Sequence, residues 1–296
     1  RLDFITFHAK GSVFPADMTA TKAVPSVGSL VHQVRLGLEV IAQEGYSDLD
    51  VVISEADPDG WAAGGIADNP NMKYRNSEYY ASYVAVSYNG IHKLGRELGA
   101  NVYPLAWAFM FPQEECFAGT RTFSTQGIDK PVFNLFRMLS RMGSHELAMT
   151  SSDEADPAYD RRLIDDFDEE APSHYDGAGA QTVLSGYASR SDDGATQILV
   201  YSHCDDIDRQ GEHEVELHVR GLKPGQYRLS HYRIDGDHSN AHTVWQAEGR
   251  PKYPQGAQYE TIKSAGALQE LEPERVLDVA GSDDEAGATL RFSMQA

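Results

Sequence analysis

The sequence of 296 residues is poor in basic side chains, in cysteine and in long apolar runs, and each shortage excludes a class of protein. Lys and Arg number 25 against 45 Asp and Glu, which gives a formal net charge of -20. A nucleic-acid groove or an anionic membrane surface would need clustered positive charge. No apolar run approaches the ~20 residues that span a bilayer. The two cysteines, Cys116 and Cys204, cannot form a disulfide framework. We therefore expect neither nucleic acid nor a membrane as a partner.

The acidic residues are concentrated in the second half of the chain. Residues 1–143 carry a net charge of -3, and residues 144–296 carry -17. The length allows one large domain or two ordinary ones, and the charge step predicts a boundary near residue 144. Residue 1 is Arg, and strand-like alternation starts at Leu2 with no secretory signal before it. We therefore expect the chain to begin inside a fold.

Residues 1–143 alternate between strand-like and helix-like segments. The predicted strands are residues 2–7, 50–54 and 101–109, and the predicted helices are residues 26–45, 80–98 and 131–142. Three strand-then-helix units in series require parallel strands covered by helices. Long loops follow the strands, at the edge where α/β barrels and open α/β sheets keep their active sites.

The second half of the sequence has a different pattern of residues. Residues 144–180 hold clusters of Asp and Glu with Pro and Gly, which predicts an acidic linker or surface excursion. Residues 181–296 contain short β-rich runs separated by turn residues, the pattern of a β-sandwich or small barrel. The predicted strands here are residues 183–188, 198–203, 215–219, 227–234 and 290–294.

Glu55 is the strongest candidate for chemistry, because it directly follows an apolar strand. In a parallel barrel that edge carries the catalytic groups, although a strand-terminal acid can equally make a turn or a helix cap. His8 follows another strand, where a structural histidine is the alternative. Trp107 lies at the end of the third strand. Its indole ring could bind a sugar, and a tryptophan buried in the core is the alternative.

The loop after Trp107 carries Glu114 and Glu115, which offer acceptors for a polyol but are also ordinary surface acids. Cys116 has no local signature of a catalytic thiol. The His and Asp residues between 203 and 240 match neither an EF-hand nor a zinc pattern, so turns explain them better than a metal. Phosphate-binding and serine-hydrolase motifs are missing from the sequence, and we expect no cofactor.

Five segments together resemble glycoside hydrolase family 39, which contains β-xylosidases and α-L-iduronidases. They are residues 3–11, 53–60, 107–109 with 117–119, 127–138 and 232–245. The resemblance is closest to bacterial β-xylosidases and covers most of the chain in consistent order. It implies α/β architecture, with strands six to eight of a (β/α)₈ barrel in residues 1–143 and a β-sandwich accessory domain in residues 181–296.

The resemblance also implies roles for particular residues. Glu55 matches the catalytic nucleophile, and His8, Lys10 and Trp107 match positions around the sugar. The family places acidic sugar-binding residues after strand eight, where this chain has Met110 and Pro112, so Glu114 or Glu115 would take that role from a shifted loop.

A retaining glycosidase needs two carboxyl groups, and in this family the acid/base is the Glu of an Asn-Glu pair. The chain contains no Asn-Glu pair. We therefore expect a fragment of a β-xylosidase-like enzyme that acts on xylo-oligosaccharides and is inactive in isolation. The alternatives are a non-catalytic carbohydrate-binding module and a related glycosidase for an α-L-iduronide, arabinoside or glucoside.

Overall fold

The computed structural model describes residues 2–12, 22–61, 63–152, 175–209, 211–280 and 286–295. The first half contains β1 (Phe4–Lys10), α1 (Val27–Gln43), β2 (Asp50–Asp57), a 3₁₀ helix (Pro70–Asn76), α2 (Glu78–Leu98), β3 (Val102–Pro104), β4 (Ser124–Thr125), β5 (Ile128–Asp129) and α3 (Pro131–Leu139). The second half contains β6 (His145–Leu147), β7 (Val183–Arg190), β8 (Thr196–His203), β9 (Glu212–Arg220), β10 (Gly225–Arg233), α4 (Ala241–Ala247), α5 (Gly256–Ala265), β11 (Gln269–Val279) and β12 (Gly287–Gln295).

The strands β1, β2 and β3 form a parallel sheet in that order, as the alternation of strands and helices predicts. The helices α1 and α2 make the crossovers and cover one face. Val51 and Ile53 of β2 are buried beneath them, at 1% and 0% exposure. The predicted third strand is shorter than expected, because regular pairing with β2 ends at Pro104, although Leu105 still donates its backbone N–H to the carbonyl of Ile53.

The other face of this sheet is open. Phe4, Tyr103 and Leu105, which point away from the helices, are 54%, 49% and 51% exposed. In a sheet with helices on only one side, alternate residues of each strand remain uncovered. The structure therefore leaves an apolar sheet face in contact with solvent.

A β-bulge interrupts the pairing of β1 with β2 next to Glu55. Phe7 pairs with Ile53, but His8 pairs with Glu55, so Ser54 is an extra residue on β2. If Ser54 paired in regular register with His8, the two-residue period would direct Glu55 toward the helices. The bulge turns the Glu55 side chain to the open face, beside His8.

The helix boundaries follow local capping chemistry. The Ser26 side chain accepts a hydrogen bond from the backbone N–H of Ser29 at 3.2 Å, which fixes the start of α1. Gly99 ends α2 in the left-handed region with φ of 67°. The predicted end of α3 at Met142 is wrong: the helix stops at Leu139, and residues 140–142 form turns.

The described residues of the second half form three antiparallel groups of strands. They are β6–β7–β8, β9 with β12, and β10 with β11. Five of these strands match predicted runs, whereas β6, β11, α4 and α5 were not predicted. The predicted acidic linker falls largely on residues 153–174, which lie outside the described residues.

The two halves share one buried core. Val183, Leu199 and Tyr201 of the β6–β7–β8 sheet belong to the same apolar cluster as α1 and α2. The Asn89 side chain of α2 donates hydrogen bonds to the Gly186 carbonyl and to the Tyr201 hydroxyl, at 3.2 and 2.7 Å. Among the described residues, no helix is both long and apolar enough to cross a membrane.

Candidate active site

Glu55 lies at the carboxyl edge of the parallel sheet among groups from β1. Its Oε2 accepts a hydrogen bond from Lys10 Nζ at 2.6 Å, and its Oε1 lies 3.3 Å from His8 Nε2. The Glu55 side chain is 13% exposed and that of His8 is 56% exposed. The carboxylate is therefore held on one side by β1 and remains accessible to a ligand.

Asp57, two residues further along β2, connects this carboxylate to a buried arginine. Its Oδ2 lies 2.5 Å from Lys10 Nζ and forms an ion pair with Arg121 Nη1. Its Oδ1 accepts the backbone N–H of Trp107 at 2.9 Å. Asp57 and Arg121 are 0% and 1% exposed. The side chains of Glu55, Lys10, Asp57 and Arg121 thus form a line of alternating charge.

Trp107 begins a stack of aromatic rings beside this line. The rings of Trp107 and Phe109 have centroids 4.8 Å apart, and those of Phe109 and Phe111 are 5.4 Å apart. The guanidinium of Arg121 lies 6.0 Å from the Trp107 ring centre and 5.9 Å from that of Phe109. Trp107 is 42% exposed, so part of its indole can contact a ligand.

Glu114 and Glu115 have partners outside the Glu55 group. Glu114 accepts a hydrogen bond from the Thr120 hydroxyl, and Glu115 forms an ion pair with Lys252 at 2.8 Å. Met110 is 88% exposed. The structure therefore brings together Glu55, His8, Lys10 and Trp107, and it engages the two loop acids elsewhere.

A second buried ion pair fixes the loop after β2. The carboxylate of Asp59 contacts Arg75 Nη2 at 2.6 Å and accepts hydrogen bonds from the Tyr74 hydroxyl and the Trp61 backbone. Burial raises the pKa of Asp59, but the charge and hydrogen bonds of Arg75, the charge of Arg121 and the hydrogen bond from Tyr74 together hold that pKa below the usual value. The loop is thereby tied to the 3₁₀ helix directly after the strand that carries Glu55.

The sequence reasoning missed Asp57 and Arg121 as members of the site. Asp57 follows Glu55 at the two-residue spacing that places strand side chains on one face, and this signal was available. Arg121 lies in a loop between two threonines, and nothing local marks it. Its backbone carbonyl accepts the N–H of Phe109 at 2.8 Å, a contact set only by the folded loop.

The chemistry open to this site is that of an accessible carboxylate beside cationic groups. Within the described part of the chain, no cluster of three or more His, Cys, Asp or Glu could hold a metal ion. Asp57 is engaged by Lys10, Arg121 and the Trp107 backbone. Glu55 is thus the carboxylate of this group that can meet a substrate.

A carboxylate at the carboxyl edge of helix-covered parallel strands lies where α/β enzymes carry their catalytic groups. The family model for Glycosyl hydrolases family 39 matches residues 1–275. The chain therefore belongs to this family.

Solved structures agree on the mixed α/β fold. A bacterial orthologue of human α-L-iduronidase is 19% identical with a TM-score of 0.69; the match covers 100% of this chain and 48% of that one. A monomeric β-xylosidase from Caulobacter crescentus CB15 is 18% identical with a TM-score of 0.64, covering 100% and 54%. The family 39 enzyme from Xanthomonas axonopodis pv. citri is 13% identical with a TM-score of 0.62, covering 100% and 53%. The chain thus spans about half the length of these proteins. A search of curated proteins finds no match.

Proposed function

We propose that this chain is the carboxyl-terminal part of a retaining glycosidase, with Glu55 as the nucleophile. The single observation that carries the proposal is the geometry of Glu55: a bulge turns it to the open face of the sheet, where it meets His8 and Lys10. A nucleophile needs this combination of accessibility and fixed direction.

In the proposed architecture, β1, β2 and β3 are strands six to eight of a (β/α)₈ barrel, and residues 181–296 form an accessory β-sandwich. The uncovered apolar face that contains Phe4, Tyr103 and Leu105 supports this, because a closed barrel packs such residues in its interior. The length of the solved relatives, about twice that of this chain, agrees with a larger whole protein.

In the proposed reaction, a carboxylate oxygen of Glu55 attacks the anomeric carbon of the sugar. The glycosidic oxygen leaves with a proton from a second carboxyl group, and a covalent glycosyl-enzyme forms. Water then attacks the same carbon and gives its proton to the second group, which releases the sugar with retained configuration. Retention requires carboxyl groups about 5–5.5 Å apart, and we propose that the second one comes from the rest of the whole protein.

The substrate class we favour is terminal xylose on xylo-oligosaccharides, because two of the structural neighbours are β-xylosidases. An α-L-iduronide is the second candidate. The ammonium of Lys10 and the imidazole of His8 flank Glu55 and would suit an acidic sugar, and the first structural neighbour is an α-L-iduronidase orthologue. Hydrolysis of a panel of aryl xylosides, iduronides, arabinosides and glucosides by the whole protein separates these substrates.

Trapping the intermediate tests the role of Glu55. A 2-deoxy-2-fluoro xyloside with an activated leaving group should form a stable ester on Glu55 in the whole protein, located by mass spectrometry of peptides. Glu55→Ala should lose activity by several orders of magnitude, because the covalent step is removed. Added azide should restore turnover and give the α-glycosyl azide from a β-xyloside.

The control variant is Glu97→Gln, because Glu97 is exposed at the far end of α2 and pairs with Arg35 at 3.1 Å. It should behave as the wild type. A label on another residue, or normal turnover by Glu55→Ala, would refute the assignment. If the whole protein binds xylo-oligosaccharides, hydrolyses no member of the panel and keeps its affinity in Glu55→Gln, it is a carbohydrate-binding module instead.

A further inference from the structure

Arg121 is a deeply buried charged group near the proposed nucleophile, and it forms its ion pair with Asp57 rather than with Glu55. Its side chain is 1% exposed and forms its ion pair with Asp57, which is 0% exposed. Among the described residues, its Nε and Nη2 have no hydrogen-bond partner. Burying an arginine with so few partners is costly unless its surroundings compensate.

The compensation comes from Asp57 and from the aromatic rings. The guanidinium is nearly equidistant from the ring centres of Trp107 and Phe109, at 6.0 and 5.9 Å, within the range of cation–π attraction. Its own backbone is fixed, since the Arg121 carbonyl accepts the N–H of Phe109. Arg121 therefore joins two parts of the site, the carboxylate of Asp57 and the aromatic stack.

Lys10 connects the ion pair of Arg121 and Asp57 to Glu55. Its ammonium lies 2.6 Å from Glu55 Oε2 and 2.5 Å from Asp57 Oδ2, so the two carboxylates compete for one cation. A guanidinium on Asp57 neutralises part of the charge that would draw Lys10 away from Glu55. It also fixes Asp57, whose other oxygen holds the Trp107 backbone at 2.9 Å.

We propose that Arg121 is a positioning residue that acts through Asp57 to set both the direction of the Glu55 carboxylate and the placement of Trp107. The inference rests on the proposed role of Glu55 as nucleophile and adds a residue to that site. It predicts that loss of Arg121 slows the attack step rather than only weakening the fold.

The test uses the whole protein, with the concentration of competent sites counted by the burst of the fluoro-sugar label. Per competent site, Arg121→Ala should lower kcat on the order of 100-fold, the scale of a nucleophile displaced by about 1 Å, and should raise KM by a smaller factor through the displaced Trp107. Arg121→Lys keeps the charge but cannot contact Asp57 and both rings, so it should lower kcat by about tenfold.

Chemical rescue distinguishes positioning from folding. Methylguanidinium, below denaturing concentrations, should raise the kcat of Arg121→Ala about tenfold or more, by restoring the cation beside Asp57, whereas equal KCl should not. The matched control is Asp57→Ala, which has lost the acceptor and should not respond. The double variant should be little worse than either single one, because residues that act as a unit are non-additive.

A kcat per competent site within about threefold of the wild type in either Arg121 variant would overturn the inference and leave the role of Glu55 intact. If Arg121→Ala does not fold, the kcat of Arg121→Lys alone tests the inference. If the whole protein is labelled at Glu55 but Arg121→Lys remains fully active, the proposed role of Glu55 stands and the proposed role of Arg121 is wrong. One that hydrolyses nothing overturns both.

Discussion

At the scale of single residues, some members of the site can be predicted from their position at the end of a strand, whereas others can be identified only in the folded structure. Glu55 follows a β-branched run, and that position alone predicts a side chain at the functional edge. Arg121 reaches Asp57 from a loop more than sixty residues later in the chain, and no short-range pattern encodes that approach. The hardest residues to predict are therefore those that act on the proposed nucleophile from a distance.

Lys130 gives a prediction at this scale. It is completely buried and donates a hydrogen bond to the Thr120 carbonyl at 3.1 Å. Burial lowers the pKa of its ammonium, the charge of Glu114 opposes this and the charge of Arg75 adds to it, and the net result is a pKa of about 7. An unfolded lysine has a pKa of about 10.4, so the unfolded chain binds more protons than the folded one between pH 7 and this value.

It follows that burying Lys130 costs most below pH 7 and progressively less as the pH rises toward 10. Relative to Lys130→Met, the wild-type free energy of unfolding should increase by about 1.4 kcal/mol per pH unit across this range. Urea titrations from pH 7 to 10 measure it. Lys223→Met, at an exposed lysine, is the matched control and should show no such slope. A difference in unfolding free energy between the wild type and Lys130→Met that stays constant with pH would contradict the prediction.

At the scale of elements, the sequence predicts α1 and α2 well because capping and periodicity agree. Ser26 begins one helix and Gly99 ends the other, as expected. By contrast, α5 buries only Ile262, and α4 spans only seven residues. Helices that expose most of their surface lack the apolar period by which sequence reasoning finds them.

Packing of α1 on β1 gives a prediction at this scale. A Cβ added at Gly37 would lie 2.4 Å from the nearest ring atom of Phe7. Gly37→Ala should therefore destabilise the protein by about 1–3 kcal/mol, despite the better helix propensity of alanine. Thermal and urea unfolding measure the effect.

The companion variant Phe7→Leu/Gly37→Ala should recover part of this loss, because the smaller side chain makes room for the methyl group. Gly90→Ala is the matched control. Its Cβ would meet only Val31 Cγ2, at 3.0 Å, so the change should cost less than Gly37→Ala. A stabilising Gly37→Ala would show that Phe7 moves aside freely.

At the scale of the whole molecule, the charge step near residue 144 does not interrupt the packing. Val183 and Tyr201 lie in the same buried cluster as Val84 of α2. The division into residues 1–143, 144–180 and 181–296 therefore remains a prediction. The charge composition of a segment reflects its surface. It therefore does not reveal whether the buried core continues from one segment into the next.

The chain of 296 residues by itself should not hydrolyse p-nitrophenyl β-xyloside, whereas the whole protein should. Among the described residues, the carboxylate adjacent to Glu55 is Asp57, which is held by Lys10 and Arg121 and cannot serve as the proton donor. Initial rates for the two proteins at equal concentration test this. Turnover by the 296-residue chain that disappears in Glu55→Ala would show that its acid/base lies within the 296 residues.

The bulge at Ser54 has a consequence for how this site tolerates sequence change. The bulge allows Glu55 to face the open side although Ile53, two residues earlier, faces the helices. Deletion of Ser54 would remove the bulge and leave Glu55 opposite His8 in regular pairing, still on the open face. Regular pairing of a retained Ser54 with His8 would instead turn the carboxylate toward the helices. A gap of one residue at this point of the strand is therefore compatible with a relative that keeps this nucleophile.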